Sequence, residues 1–176
     1  MRAVRGREEP GESDDLLATP LLERAIAEAY RYAIRLTGGD RVAAEDLVQD
    51  ACVAFAAHAR AHDDPPLSVG WMIVVVRRRF VDQLRRTSRE QARLARAGVA
   101  DDVLEGDWSR VEGGEALTAL ARLAADQRAA LVFRYIDDLP VSDVAALLDR
   151  SAVATESLLA RARRELARYI EEARRG

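Results

Sequence analysis

Residues 126–166 read DQRAALVFRYIDDLPVSDVAALLDRSAVATESLLARARREL, and the spacing of their apolar residues decides the fold. Ala129, Leu131, Val132 and Tyr135 form one apolar set, Val144, Leu147 and Leu148 a second, and Val153, Leu158, Leu159 and Ala162 a third. Each set recurs at intervals that a 3.6-residue repeat places on one face, so three short helices are expected to bury these faces against one another. Between the second and third lies Asp149-Arg150-Ser151. An aspartate tolerates the left-handed backbone that such a turn needs, and a serine oxygen can cap the helix that follows. The pattern predicts a helix-turn-helix whose second helix presents Ser151, Glu156, Ser157, Arg161 and Arg164 outward, at a width that fits a DNA major groove. DNA affinity would lean on Arg150, Arg161, Arg163 and Arg164. The competing reading is a plain helical hairpin with a solvated arginine face.

Working outward, Leu22, Ala25, Ile26, Ala29, Tyr30, Ala33 and Ile34 repeat at three and four and predict an amphipathic helix ending near Thr37-Gly38-Gly39. Asp40 is placed to cap the next helix, which is expected to run to about Arg60 and bury Val42, Leu47, Val48, Ala51 and Phe55. His62-Asp63-Asp64-Pro65-Pro66 breaks it, and a third helix runs from about Ser68 to Arg86. From Thr87 to about Gly114 the periodicity weakens, although Arg89 to Arg96 keep a helical pattern, and residues 98–114 are rich in carboxylates. No strand pattern survives. The expectation is an all-α chain: a disordered tail over 1–19, a small helical domain over 20–86, a flexible acidic linker over 87–114 and a second small helical domain over 115–170.

At 176 residues the chain has room for one ordinary domain or two small ones. It carries 27 basic and 30 acidic residues, for a net charge of −3, so any contact with nucleic acid must come from local patches. All the basic residues are arginine, which is read as the codon bias of a GC-rich genome because many of them lie outside the patches. A single cysteine, Cys52, excludes an internal disulfide. Cys52, His58 and His62 do not supply the three or four convergent ligands of a metal site, because Pro65-Pro66 end their helix just beyond. No catalytic triad, phosphate-cradling loop or paired-carboxylate motif appears, so neither enzymatic activity nor a cofactor is expected. The first residues are charged and Trp71 to Val76 is too short an apolar run to cross a bilayer, which points to a cytoplasmic protein without membrane insertion.

Two further features carry chemistry. Trp71 to Arg86, WMIVVVRRRFVDQLRR, places Arg77, Arg78, Arg79, Arg85 and Arg86 among Trp71 and Phe80. Arginines neutralise phosphates and aromatic rings stack on unpaired bases, which is how proteins hold a melted strand; equally, both rings can be core. Asp46, Gln49 and Asp50 lie at i, i+3 and i+4 and form one polar stripe.

The stretch 126–166 resembles region 4 of bacterial sigma factors of the extracytoplasmic-function (ECF) group. AEDLVQDACVAFAAHA (44–59) and WMIVVVRRRFVDQLRR (71–86) resemble region 2 of the same family. Two matches in the family's order, covering most of residues 22 to 170, are more specific than one helix-turn-helix. The resemblance implies an alternative sigma factor that directs core RNA polymerase to promoters. It implies that Asp46, Gln49 and Asp50 dock on the polymerase, that Trp71, Arg77, Arg78, Arg79, Arg85 and Arg86 hold the −10 element, and that Arg150, Ser151, Glu156, Ser157, Arg161, Arg163 and Arg164 engage the −35 element. It also implies a linker that threads the polymerase's RNA path and an anti-sigma partner. The chain departs from the family at Arg78, where many relatives carry a small polar residue. Pro140 and Asp149 stand in place of a capping serine and a turn glycine, and Ala154-Thr155-Glu156-Ser157-Leu158 replaces a frequent Thr-Val-Lys-Ser-Arg. The alternatives are a helix-turn-helix regulator that binds duplex DNA alone and a sigma-like adaptor that binds only a protein partner.

Overall fold

The computed structural model describes residues 20–61, 68–96 and 114–175, with side chains in the second segment to residue 93. Seven helices make up the described chain: α1 Pro20–Thr37, α2 Arg41–Ala61, α3 Val69–Arg96, α4 Gly114–Ala121, α5 Ala125–Tyr135, α6 Val141–Leu147 and α7 Ala152–Arg175. No strand occurs among the described residues.

The helix ends follow the local chemistry. Gly38 and Gly39 take positive φ, and the Gly39 amide reaches back to the Ile34 carbonyl at 2.9 Å, closing α1 in a left-handed turn. Asp40 then accepts the amide of Ala43 at 3.0 Å and starts α2, while the Ser68 hydroxyl accepts that of Trp71 at 3.1 Å and starts α3. Asp149 has φ 55° and Ser151 accepts the Ala154 amide at 3.2 Å, as the turn between α6 and α7 requires. Pro140 sits one position before α6, as its N-cap.

α1, α2 and α3 pack as a three-helix bundle around Tyr32, Leu36, Leu47, Phe55, Met72 and Val76. In the C-terminal half α5, α6 and the start of α7 bury Val132, Phe133, Val144, Leu158 and Leu159. The far half of α7 packs on α4, where Arg122 lies 3.9 Å over the Tyr169 ring and pairs with Glu172 at 2.7 Å. That contact gives residues beyond 166 a reason to stay helical.

Three expectations change. Residues 87–96, assigned to the linker by their weak apolar repeat, continue α3 as a polar helix; the acidic segment over 97–113 and the tail over 1–19 lie outside the described residues. Val42, Tyr135 and Val153, assigned to buried faces, are 70, 52 and 74% exposed. A short helix, α4, precedes the three helices expected in the C-terminal half. The two helical halves also touch, a relationship on which the sequence is silent. α1 contacts α4 and α5, and the buried apolar residues run in one cluster from Leu22 to Ala162.

Candidate nucleic-acid interface

The outward face of α7 is built by helical spacing from an anchored side. Thr155, Leu158, Leu159 and Ala162 are buried, which leaves Val153, Glu156, Ser157, Arg161 and Arg164 exposed on the opposite side. Thr155 is fully buried and donates to the Ser151 carbonyl at 3.0 Å, fixing the first turn of this helix. The arginines named from the sequence divide into two kinds. Arg150 is held by Asp126 of α5 at 2.7 Å, and Arg163 donates to the Tyr135 hydroxyl at 3.1 Å. Arg161 and Arg164 are exposed and form no ion pair among the described residues. The face therefore offers two open guanidiniums, one carboxylate and one hydroxyl, groups that read phosphates and base edges in a groove.

α3 presents arginine on two sides. Arg78, Arg79 and Arg86 are exposed, with Arg79 3.8 Å from Asp50 of α2. Arg77 and Arg85, eight residues apart and so on one face, instead point into the C-terminal half. Arg77 pairs with Asp137 at 3.1 Å, and the same carboxylate oxygen accepts the Tyr32 hydroxyl at 2.7 Å. Arg85 donates to the carbonyls of Ala146 and Leu147, each at 3.0 Å, where α6 ends and a cation is favoured. The aromatic residues of this helix are largely packing groups. Phe80 is 7% exposed, and Trp71 is partly buried with its ring edge-on to Phe55, centroids 5.9 Å apart.

On α2 the structure brings Asp46, Gln49 and Asp50 together on the solvent face. Val42 and Val53, 70 and 69% exposed, continue the same face at either end. The sequence reading counted Val42 as core and left Val53 aside, so it did not foresee these exposed apolar neighbours.

Burial also shifts three groups. Removal from water pushes the Cys52 thiol above its usual range, so it stays protonated and weakly nucleophilic. The Tyr32 hydroxyl is pushed well up, first by burial and then by the neighbouring Asp137 carboxylate. Arg128 is lowered to about 10 by burial. Among the described residues no three His, Cys, Asp or Glu side chains converge as a metal site would require; His62 lies outside them. No described helix is long and apolar enough to cross a membrane.

With this geometry in place, residues 21–90 match Sigma-70 region 2 and residues 114–166 match Sigma-70, region 4. The ECF RNA polymerase sigma factor SigM of Bacillus subtilis is 26% identical over 148 residues, spanning 79% of this chain and 86% of SigM. SigJ of Mycobacterium tuberculosis, also an ECF RNA polymerase sigma factor, is 32% identical over 143 residues, spanning 75% of this chain and 44% of SigJ. Among solved structures, the sigma factor RpoE of Bartonella quintana, in complex with the anti-sigma factor NepR, shares the fold with a TM-score of 0.52 and 24% identity over 85% of this chain and 94% of that one.

Proposed function

The chain belongs to the ECF group of the sigma-70 family, and from that premise we propose which of its surfaces performs each step of promoter recognition. As an alternative sigma factor it directs core RNA polymerase to promoters. The solvent face of α2, with Asp46, Gln49 and Asp50 between Val42 and Val53, docks on the polymerase. The arginines of α3 and the Trp71 ring engage the −10 element as the duplex opens. The exposed side of α7 enters the major groove at the −35 element, where Glu156 and Ser157 read base edges and Arg161 and Arg164 neutralise phosphate. Arg150 and Arg163, already held by Asp126 and Tyr135, form a preset margin to that face.

The observation that supports this division most directly is the outward face of α7. A helical hairpin kept only for stability has no need to leave Arg161 and Arg164 unpaired beside Glu156 on a face otherwise held in place by Thr155. The chain performs no chemistry of its own in this scheme; it supplies position to the polymerase. It acts in the cytoplasm, and a protein that covers its two DNA-facing halves, as NepR accompanies RpoE, is its expected regulator.

Reconstitution tests the proposal. Purified chain and core polymerase should form a complex that transcribes from a subset of promoters, and core polymerase alone should not. Binding of duplex DNA by the chain without polymerase, with equal affinity, would instead favour the stand-alone regulator.

A further inference from the structure

One side chain on the outward face of α7 has no task in the scheme above. Val153 is 74% exposed, more than any other large apolar residue among those described. It lies in the first turn of α7, three residues before Glu156 and four before Ser157, so the three side chains share one face. It is not packed on the apolar cluster of the chain, and its neighbours Ala152 and Ala154 are too small to cover it. The turn that carries it is firmly held. Ser151 accepts the Ala154 amide at 3.2 Å, and the fully buried Thr155 donates its hydroxyl to the Ser151 carbonyl at 3.0 Å. A valine in a helix has one strongly preferred χ1 rotamer, so its two methyl groups point outward in a fixed direction before any partner arrives.

The charge along this face is graded. Arg161 and Arg164, exposed and without an ion pair among the described residues, lie about two and three turns further along the helix. Arg150, just before the first turn, is drawn to Asp126 at 2.7 Å. The first turn therefore offers DNA an apolar side chain and the Glu156 carboxylate, neither of which suits a phosphate, while the later turns offer guanidiniums, which do. That order sets the first turn over base edges and the later turns over the backbone. Among the base edges of the major groove the apolar group is the C5 methyl of thymine. We infer that Val153 is a specificity-determining residue of the −35 contact, its methyl groups packing on the C5 methyl of a thymine close to the cytosine that Glu156 reads. This rests on the −35 role of α7 proposed above. Residues three apart are separated by about 4.5 Å along a helix axis and successive bases of one strand by about 3.4 Å, which sets the thymine within about two base pairs of that cytosine. The contact gains by removing apolar surface from water on both sides and carries no charge, so it adds preference without adding salt dependence.

The test uses holoenzyme assembled from core polymerase and the full chain, selecting duplexes from a library randomised across the −35 element. The wild type should enrich a thymine within about two base pairs of the cytosine whose preference Glu156→Ala relaxes. Val153→Ala, a truncation at an exposed position, should keep wild-type helical content and relax the thymine preference while leaving the cytosine preference intact. Replacing that thymine by deoxyuridine in the selected duplex removes only the C5 methyl. It should weaken wild-type binding about fourfold, the effect of one buried methyl-sized group, and leave binding by Val153→Ala unchanged. Equal losses in the two proteins, or no thymine preference that depends on Val153, would overturn the proposal and leave the −35 role of α7 standing. Weaker binding of core polymerase by Val153→Ala, with DNA preference unchanged, would overturn it in favour of a protein contact. A wild-type holoenzyme that enriches no −35 sequence contradicts the −35 role itself, and the assignment of Val153 falls with it.

Discussion

The guanidinium of Arg128 on α5 donates through Nε to the carbonyl of Leu36 on α1 at 2.7 Å, tying the second half of the chain to the last turn of the first. Its Nη1 also reaches the carbonyls of Ala121 and Leu123 at 3.3 and 3.1 Å. A buried arginine is tolerable only when its donors find acceptors, and here carbonyls at the C-terminal ends of two helices, α1 and α4, receive Nε and Nη1. The approach depends on Gly38. Its φ of 69° suits glycine, and a Cβ built there would lie 2.6 Å from Arg128 Nη1.

Gly38→Ala should therefore destabilise the chain by about 1–3 kcal/mol, from the left-handed backbone alone, with displacement of Arg128 adding to it. Urea unfolding followed by circular dichroism measures this. The same substitution at Gly70, whose nearest neighbour to a built Cβ is the Ser68 hydroxyl at 3.8 Å, should be close to neutral or stabilising.

The Tyr32 contribution to stability should fall as pH rises above 10. A phenol whose pKa is raised on folding contributes stability that is complete below its unfolded value of 10.0 and is lost as pH climbs beyond it; Tyr32 is such a group, raised by burial and by Asp137. Arg128 acts in the opposite sense. Its pKa, lowered from 12.5 to about 10, means that the cost of burying its charge is relieved between those values. Tyr32→Phe removes the first effect and leaves the second, so its unfolding free energy should rise relative to that of the wild type between pH 10 and about 11.5. Identical slopes for the two proteins would show that Tyr32 is not the responsible group.

Replacing Asp46 and Asp50 together with arginine should abolish binding to core polymerase while leaving helical content and melting temperature nearly unchanged. Both are exposed, and the one ion pair lost, Asp50 with Arg79 at 3.8 Å, is a surface pair worth at most about 1 kcal/mol. Retention of the double variant on immobilised polymerase at wild-type yield would remove α2 from the interface.

Glu156 and Arg161 should separate reading from affinity. A carboxylate in the major groove accepts from the cytosine amino group, a contact worth roughly 1–3 kcal/mol of discrimination. Glu156→Ala should relax preference at one base pair of the −35 element without general weakening. Arg161→Ala should weaken binding to every sequence and reduce the slope of affinity against salt by about one. Uniformly tighter binding by the Glu156 variant would mean that the carboxylate only repels the backbone.

Much of this organisation is local and so was legible in the chain. Asp40, Ser68, Asp149 and Ser151 mark helix ends through hydrogen bonds within three or four residues or through backbone preference, and each does so in the structure. What the sequence hid is long-range. Nothing near Asp137 signals that it faces Tyr32, 105 positions earlier, or Arg77, 60 positions earlier. Arginines that neutralise phosphate and arginines that bind a carbonyl have the same periodicity, so Arg77 and Arg85 could not be told from Arg78 and Arg86. Val42, Tyr135 and Val153 were misplaced for a related reason: apolar spacing marks a face of a helix, but not how far along that face a neighbouring helix covers it.

The most direct test is multi-round transcription with purified core polymerase, the chain, and a library of promoter fragments. The account predicts specific initiation only when chain and polymerase are both present, lost with the Asp46 and Asp50 arginine variant and shifted in −35 preference with Glu156→Ala. Polymerase-independent DNA binding by the chain, with no promoter-specific transcript at any ratio of chain to polymerase, would contradict it.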